Sequence, residues 1–97
     1  MTMQAIWQGV VLAQSDDTVV VEGNHYFPRK SLNAEYFTES DHTSMCSWKG
    51  KATYLSVAVG DAVNQDAAWK YDSPLAEAQA IEGRVAFWRG VDVTSVD

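Results

Sequence analysis

The densest run of reactive side chains lies between His42 and Lys49, where an imidazole, the thiol of Cys46 and an ammonium follow one another at spacings of four and three residues. A cation beside a thiol lowers its pKa and populates the thiolate, the nucleophilic form. Cys46 is therefore a candidate nucleophile, set against the alternative of a small apolar side chain buried beside a turn, the usual fate of a free cysteine. Lys49 stands in Trp48-Lys49-Gly50 and has three readings: a solvated turn lysine, an anchor for a substrate anion, or an amine of lowered pKa if Trp48 covers it. Gly50 beside it would let a ligand approach the backbone closely. Glu22, between Val21 and Gly23, is the candidate partner of Lys49, as an ion-pair acceptor or as a general base. The catalytic candidates are thus Cys46, Lys49 and Glu22, and residue types alone do not choose among their roles.

The aromatic residues suggest binding. Trp48, Tyr54, Trp69, Tyr71 and Trp88 fall on separate segments, and four tryptophans is a rich complement for 97 residues. Rings that alternate away from an aliphatic strand face would line a pocket, with Lys49 as its cation and Glu22 or Asp66 as its acid, suited to a flat or cationic ligand. The ligand-binding candidates are Tyr26, Trp48, Lys49, Tyr54, Trp69 and Tyr71. The competing reading is that these rings fill the core of a small domain. His25, His42, Cys46 and Asp41 lack the paired spacing of a zinc site, so no metal is expected. No glycine-rich phosphate loop ending in Lys-Ser or Lys-Thr occurs, and no cofactor is expected.

The elements that would carry these residues are mostly strands. Ala5 to Ala13 reads as an apolar strand containing Trp7 and Gly9, and Ser15-Asp16-Asp17 as a turn. Thr18 to Glu22 is a short strand, Gly23-Asn24 a two-residue hairpin turn, and His25-Tyr26-Phe27 the returning strand, ended by Pro28. Ser31 to Phe37 has helical spacing, Thr38 to Ser44 reads as polar loop, and Lys51 to Val59 is the clearest strand. Its Leu55, Val57 and Val59 share one face, with Ala52, Tyr54, Ser56 and Ala58 on the other. Gly60-Asp61 turns the chain into an extended segment, Asp66 to Tyr71. Ser73-Pro74 then opens a helix through Ile81, with Gly83 past its end. Val85 to Trp88 and Val91 to Val96 make a last hairpin across Arg89-Gly90. The expected fold is mostly β with minor α: a curved antiparallel sheet or small barrel-like or tent-like domain with two short helices.

Bulk properties narrow the function classes. The length suits one domain, residues 1–97. Seven Lys and Arg against thirteen Asp and Glu give a net charge of −6, which disfavours binding to a phosphate backbone, so no nucleic-acid partner is expected. One cysteine forms no internal disulfide, the first residues lack a signal peptide's charged and apolar regions, and no apolar run spans a bilayer. A soluble, cytoplasmic, bacterial-type protein without membrane partners is expected. An exposed edge strand would permit a homodimer but nothing specifies it over a monomer.

Several segments together resemble a known family. Trp7-Gln8-Gly9, Val21 through Pro28, Ser40-Asp41-His42-Thr43, Cys46 through Ala52, Asp66 through Tyr71 with Pro74, and Ile81 with Gly83 through Trp88 are similar, in order, to the pattern of domain of unknown function 427. The resemblance implies a compact β-rich fold, found in bacteria and fungi, without a settled activity. This chain departs from the pattern at Ser47, where proline is usual, and at Arg84, where His or Tyr is frequent. The family is sometimes labelled nucleotidyltransferase, but the Gly-Ser turn and Asp-x-Asp pair that such chemistry uses to hold two metal ions do not occur. The adjacent Asp16 and Asp17 would point to opposite faces of a strand. The expected function is small-ligand binding at an aromatic-lined pocket around Cys46-Ser47-Trp48-Lys49-Gly50. The alternatives are group transfer using Cys46 or Lys49, and a purely structural or interaction role.

Overall fold

The computed structural model describes residues 1–96. Nine strands are distinguished among them: β1 (Met3–Trp7), β2 (Val10–Ser15), β3 (Val19–Val21), β4 (Asn24–Tyr26), β5 (Phe37–Cys46), β6 (Gly50–Val59), β7 (Ala62–Lys70), β8 (Val85–Phe87) and β9 (Asp92–Ser95). They form a three-stranded sheet ordered β2-β1-β9, a two-stranded hairpin β3-β4, and a four-stranded sheet ordered β5-β6-β7-β8. All the strand pairings are antiparallel. The mostly β expectation holds, in open sheets and not a closed barrel.

The local turns differ from the sequence reading in instructive ways. The run from Ala5 to Ala13 is a hairpin, because Gln8 and Gly9 both take positive φ (54° and 72°) and reverse the chain. In the β3–β4 hairpin the turn residues are Glu22 and Gly23, at φ 54° and 81°, with Val21 opposite Asn24. The turn therefore lies one residue earlier than Gly23-Asn24, and its two positive φ values suit the right-handed twist of the flanking strands. Thr38 to Ser44 is not loop but part of β5, a ten-residue strand whose polar composition follows from its exposed edge position. β8 and β9 do not make the expected last hairpin: β8 continues the large sheet beside β7 and β9 joins β1.

The two expected helices are short 3-10 turns. Residues 29–31 and 34–36 form one turn each, and residues 76–81 form a third, broken at Ala78 (φ −114°). Segments this short lack the length to repay helix nucleation. The third is also tied to the sheet at both ends, by Leu75 N–H to the Lys49 carbonyl at 2.9 Å and Gly83 N–H to the Tyr71 carbonyl at 3.0 Å. Ser73 makes no cap. Pro74 is instead buried, and Leu75 is extended (φ −64°, ψ 159°) at the start of the turn.

Strand alternation divides the interior in two. Leu55, Val57, Ala68, Val85 and Phe87 face the three-stranded sheet and pack with Met3, Ala5, Leu12, Ala13 and Phe27. The alternate residues Ala52, Tyr71 and Ala86 face the other way and pack with Tyr26, Ala78 and Ile81, flanked by Trp48, Tyr54 and Trp69. The second cluster is thus roofed by the β3–β4 hairpin and the 76–81 turn. Sequence-derived alternation in β6 is what separates aliphatic core from aromatic face.

Candidate functional site

Lys49 ends the three-residue turn 47–49 that joins β5 to β6, with Cys46 paired to Gly50 across it. Gly50 is favoured here by its φ of +106°; a Cβ would stand at ordinary contact distance, 3.4 Å from the Leu75 nitrogen and 3.6 Å from Leu75 Cγ, which shows how closely that segment approaches. The close approach anticipated for a ligand is made by the chain's own Pro74–Leu75. With the Leu75–Lys49 backbone bond, this contact holds the turn from outside, so its shape does not need a proline at the exposed Ser47.

The result is a lysine only 7% exposed. Its ammonium donates to a Glu22 carboxylate oxygen and lies 5.4 Å from the Trp48 ring centroid and 5.6 Å from that of Tyr71. The Trp48 indole N–H reaches the other Glu22 oxygen at 3.4 Å. Burial works against the charge on Lys49, yet the bond to Glu22, reinforced by Tyr26, Tyr71 and Cys46 nearby, outweighs it and holds the pKa above the ordinary 10.5. The same hydrogen bond, from the other side, lowers Glu22 below 4.5. Lys49 is therefore a permanent cation at neutral pH, not the amine of lowered pKa entertained from sequence, and Glu22 is correspondingly weakened as a general base. Burial raises the pKa of both Tyr26 and Tyr71, so both phenols stay neutral.

Beside this cation opens a cavity of about 140 Å³ lined by Lys49, Tyr54, Trp69, Tyr71 and Trp88. Two bulges build its walls. Opposite Tyr54, β5 carries extra residues between Glu39 and Thr43. This displacement sets the His42 ring 4.5 Å from the Tyr54 ring, while Ser44 Oγ and the Tyr54 hydroxyl share a 2.9 Å hydrogen bond. Opposite Ser56, β7 bulges between Asn64 and Ala68, and Asp66 takes φ 57°. Its N–H turns to Ser56 Oγ (3.1 Å), its carboxylate accepts from Ser40 Oγ (2.5 Å), and its carbonyl accepts the Trp88 indole N–H (2.5 Å). The bulge thereby aims Trp88 at the cavity. Trp69 stands edge-to-face against Trp88 (centroids 5.8 Å, 80°) and against Tyr26 (6.2 Å, 87°), and donates its indole N–H to the Tyr26 hydroxyl at 3.1 Å.

Of the binding candidates, Lys49, Tyr54, Trp69 and Tyr71 meet at the cavity. Tyr26 is fully buried and supports Trp69 from below, and Trp48 covers Lys49 and Glu22 without lining the cavity. Trp88, absent from the candidate set, completes the wall. Alternation from the buried Phe87 signals its face, but its orientation depends on the Asp66 carbonyl released by the bulge.

Cys46 is half-buried against the aromatic cluster. His42 lies four residues away along the same strand, roughly 13 Å at strand rise, and its ring packs on Tyr54. His25 instead meets Thr18 Oγ1 at 2.8 Å. Among the described residues no three metal-ligating side chains gather. Arg84, at the family's His or Tyr position, donates to the Asp17 carbonyl at 2.6 Å, anchoring the 16–18 loop.

Two other features lack a comparable convergence. A hollow of about 220 Å³ among Arg29, Leu32, Phe37, Glu39 and Leu55 has its two charged side chains already paired at 3.7 Å. The second buried lysine, Lys70, is held by its near neighbour Asp72 at 2.5 Å.

The family model described as Domain of unknown function (DUF427) matches residues 1–97, the full chain. No curated protein matches it. Among the described residues no helix is long and apolar enough to cross a membrane.

Proposed function

This chain belongs to the Domain of unknown function (DUF427) family, whose description names no reaction, and we propose from its site that it binds a small planar molecule between Tyr54, Trp69, Tyr71 and Trp88, beside Lys49. The observation that carries this reading is a buried lysine in the lining of an aromatic-walled cavity. Rings satisfy a planar ligand by stacking and edge contacts, and a single fixed cation orients it.

Size limits the ligand. A cavity of about 150 Å³ is the space one benzene ring takes, so the volume of about 140 Å³ accommodates a single ring, with larger substituents directed to solvent. The positive Lys49 turns the expectation away from cationic ligands. The lone cysteine, which forms no internal disulfide, supports a reducing compartment such as the cytoplasm as part of this reading.

Tryptophan emission reports on the site directly, because Trp69 and Trp88 form its walls. Titration with one-ring and two-ring planar compounds should give saturable quenching by one-ring compounds, and Trp88→Leu should weaken it at least fivefold in a protein that still folds, at a cost of about 4–8 °C in melting temperature from the lost indole bond to Asp66. Absence of a saturable response from every compound overturns the reading, as does unchanged binding in Trp88→Leu.

A further inference from the structure

The ion pair beside the cavity identifies the ligand's charge. Lys49 is nearly inaccessible, whereas the Glu22 side chain that neutralises it is 52% exposed. The counter-ion thus comes from the solvent side, on the two-residue tip of the β3–β4 hairpin, while Lys49 also lines the cavity and its ammonium lies 5.6 Å from the ring centroid of Tyr71, another lining residue. An ammonium has three donors in a rotatable set. Glu22 engages it from one direction only, leaving donor capacity for an acceptor entering between the rings. A second cation stands near one wall residue: the Arg89 guanidinium carbon lies 4.6 Å from the Trp88 ring centroid.

Resting on the binding function proposed above, we propose that the ligand class is single-ring planar monoanions of benzoate size, with the anionic group at Lys49, and that Glu22 is a built-in competitor for that ammonium. The ring occupies the space between Trp69, Trp88, Tyr54 and Tyr71. The ligand carboxylate meets Lys49, and Glu22 either yields its place or shares the ammonium at the expense of like-charge repulsion. In both geometries Glu22 opposes anion binding, and its neutralisation should strengthen it. Neutral rings of the same shape feel the walls but not the competition.

Benzoate and benzamide separate these contributions, because they share a ring and differ in charge. In this chain, benzoate should bind about tenfold tighter than benzamide, equivalent to about 1.4 kcal/mol, and its affinity alone should fall as salt is raised, by a small factor because the ammonium is buried. Glu22→Gln, which keeps one acceptor oxygen for Lys49 and gives up the one facing the Trp48 indole, should tighten benzoate about tenfold and leave benzamide within twofold. Lys49→Met should reduce benzoate to the level of benzamide. Equal affinities for the two ligands in the wild-type protein, or a Glu22→Gln protein of native emission spectrum that binds benzoate no better, overturns the anion proposal while leaving ring binding intact. Failure of both compounds to bind overturns the binding function with it. Should Glu22→Gln not fold, the wild-type comparison and its salt dependence decide the matter alone.

Discussion

Glu22 and Lys49, 27 residues apart in sequence, meet because a tight hairpin turn and a strand-connecting turn converge above the aromatic face of the large sheet. The partners are unequal: the cation is buried and the carboxylate is exposed. Removing the exposed member therefore leaves a desolvated charge behind, which is more damaging than loss of the pair as a unit. Glu22→Ala should lower the melting temperature, and adding Lys49→Met to it should recover part of the loss. Thermal denaturation followed by circular dichroism checks this; a double variant less stable than Glu22→Ala contradicts it.

The same pair sets the pH limits of stability. Glu22 has a lowered pKa in the fold, so its contribution is present above the ordinary 4.5 and lost as pH falls through its lower folded value. Lys49, Tyr26 and Tyr71 have raised pKa values, so their contributions hold below the ordinary 10.5 and 10.0 and are lost as pH rises through the folded values. Stability should be nearly level between about pH 5 and 9 and fall on either side, as linkage requires. Denaturant midpoints across pH measure this, and tyrosinate absorbance should show phenols titrating late until unfolding.

Gly50 positions Lys49 through backbone geometry that a side chain opposes. Gly50→Ala should destabilise by about 2 kcal/mol, from its unfavourable φ of +106°, and should loosen the 74–81 segment. Hydrogen exchange at the Leu75 amide, bonded to Lys49, should accelerate. A melting temperature within a degree of wild type contradicts it.

Trp69 owes its orientation to a buried hydroxyl. Tyr26→Phe removes the acceptor of its indole N–H and should cost about 1 kcal/mol, or a fall of about 4–8 °C in melting temperature for a domain of this size. The tryptophan emission should also shift, since the indole loses a fixed partner. An unchanged spectrum and stability would show that ring packing alone holds Trp69.

Asp66 tests the link between bulge and cavity. Its φ of 57° is costly for a β-branched residue, so Asp66→Val should lose roughly 2–3 kcal/mol. Asp66→Asn, tolerant of the same backbone, should lose less than half of that. Ligand quenching should weaken with Asp66→Val, because the carbonyl that orients Trp88 moves with the bulge.

Cys46 lies outside the cavity wall. Cys46→Ala should therefore retain ligand quenching within twofold and lose about 1 kcal/mol or less of stability. A variant that folds normally but no longer responds to ligand would return the thiol to the site.

Much of this molecule is local and so is written in its sequence. Alternation from Ala52 to Val59 separates an aromatic face from an aliphatic one, and Gly60-Asp61 turns the chain where expected, between Val59 and Ala62. The order of residue types also carries the family resemblance, and the chain's membership is shown over residues 1–97. Trp48, Lys49 and Gly50 mark the turn because their neighbours in sequence are also their neighbours in space.

Tertiary structure decided what depends on distant partners. The Ala, Glu and Gln residues of Leu75 to Ile81 favour a helix, but its two backbone ties to Lys49 and Tyr71 hold a broken 3-10 turn instead. The polar run Thr38 to Ser44 becomes a strand because β6 supplies the ladder that its own residues do not announce. Lys49 could be solvated, activated or anchoring until Glu22 arrives from the hairpin and raises its pKa against the effect of burial. Trp88 faces the cavity because a bulge frees one carbonyl of Asp66. Sequence specifies the side chains and their alternation; charge state and cavity shape arise from long-range contacts, whose energies exist only once the chain has closed upon itself.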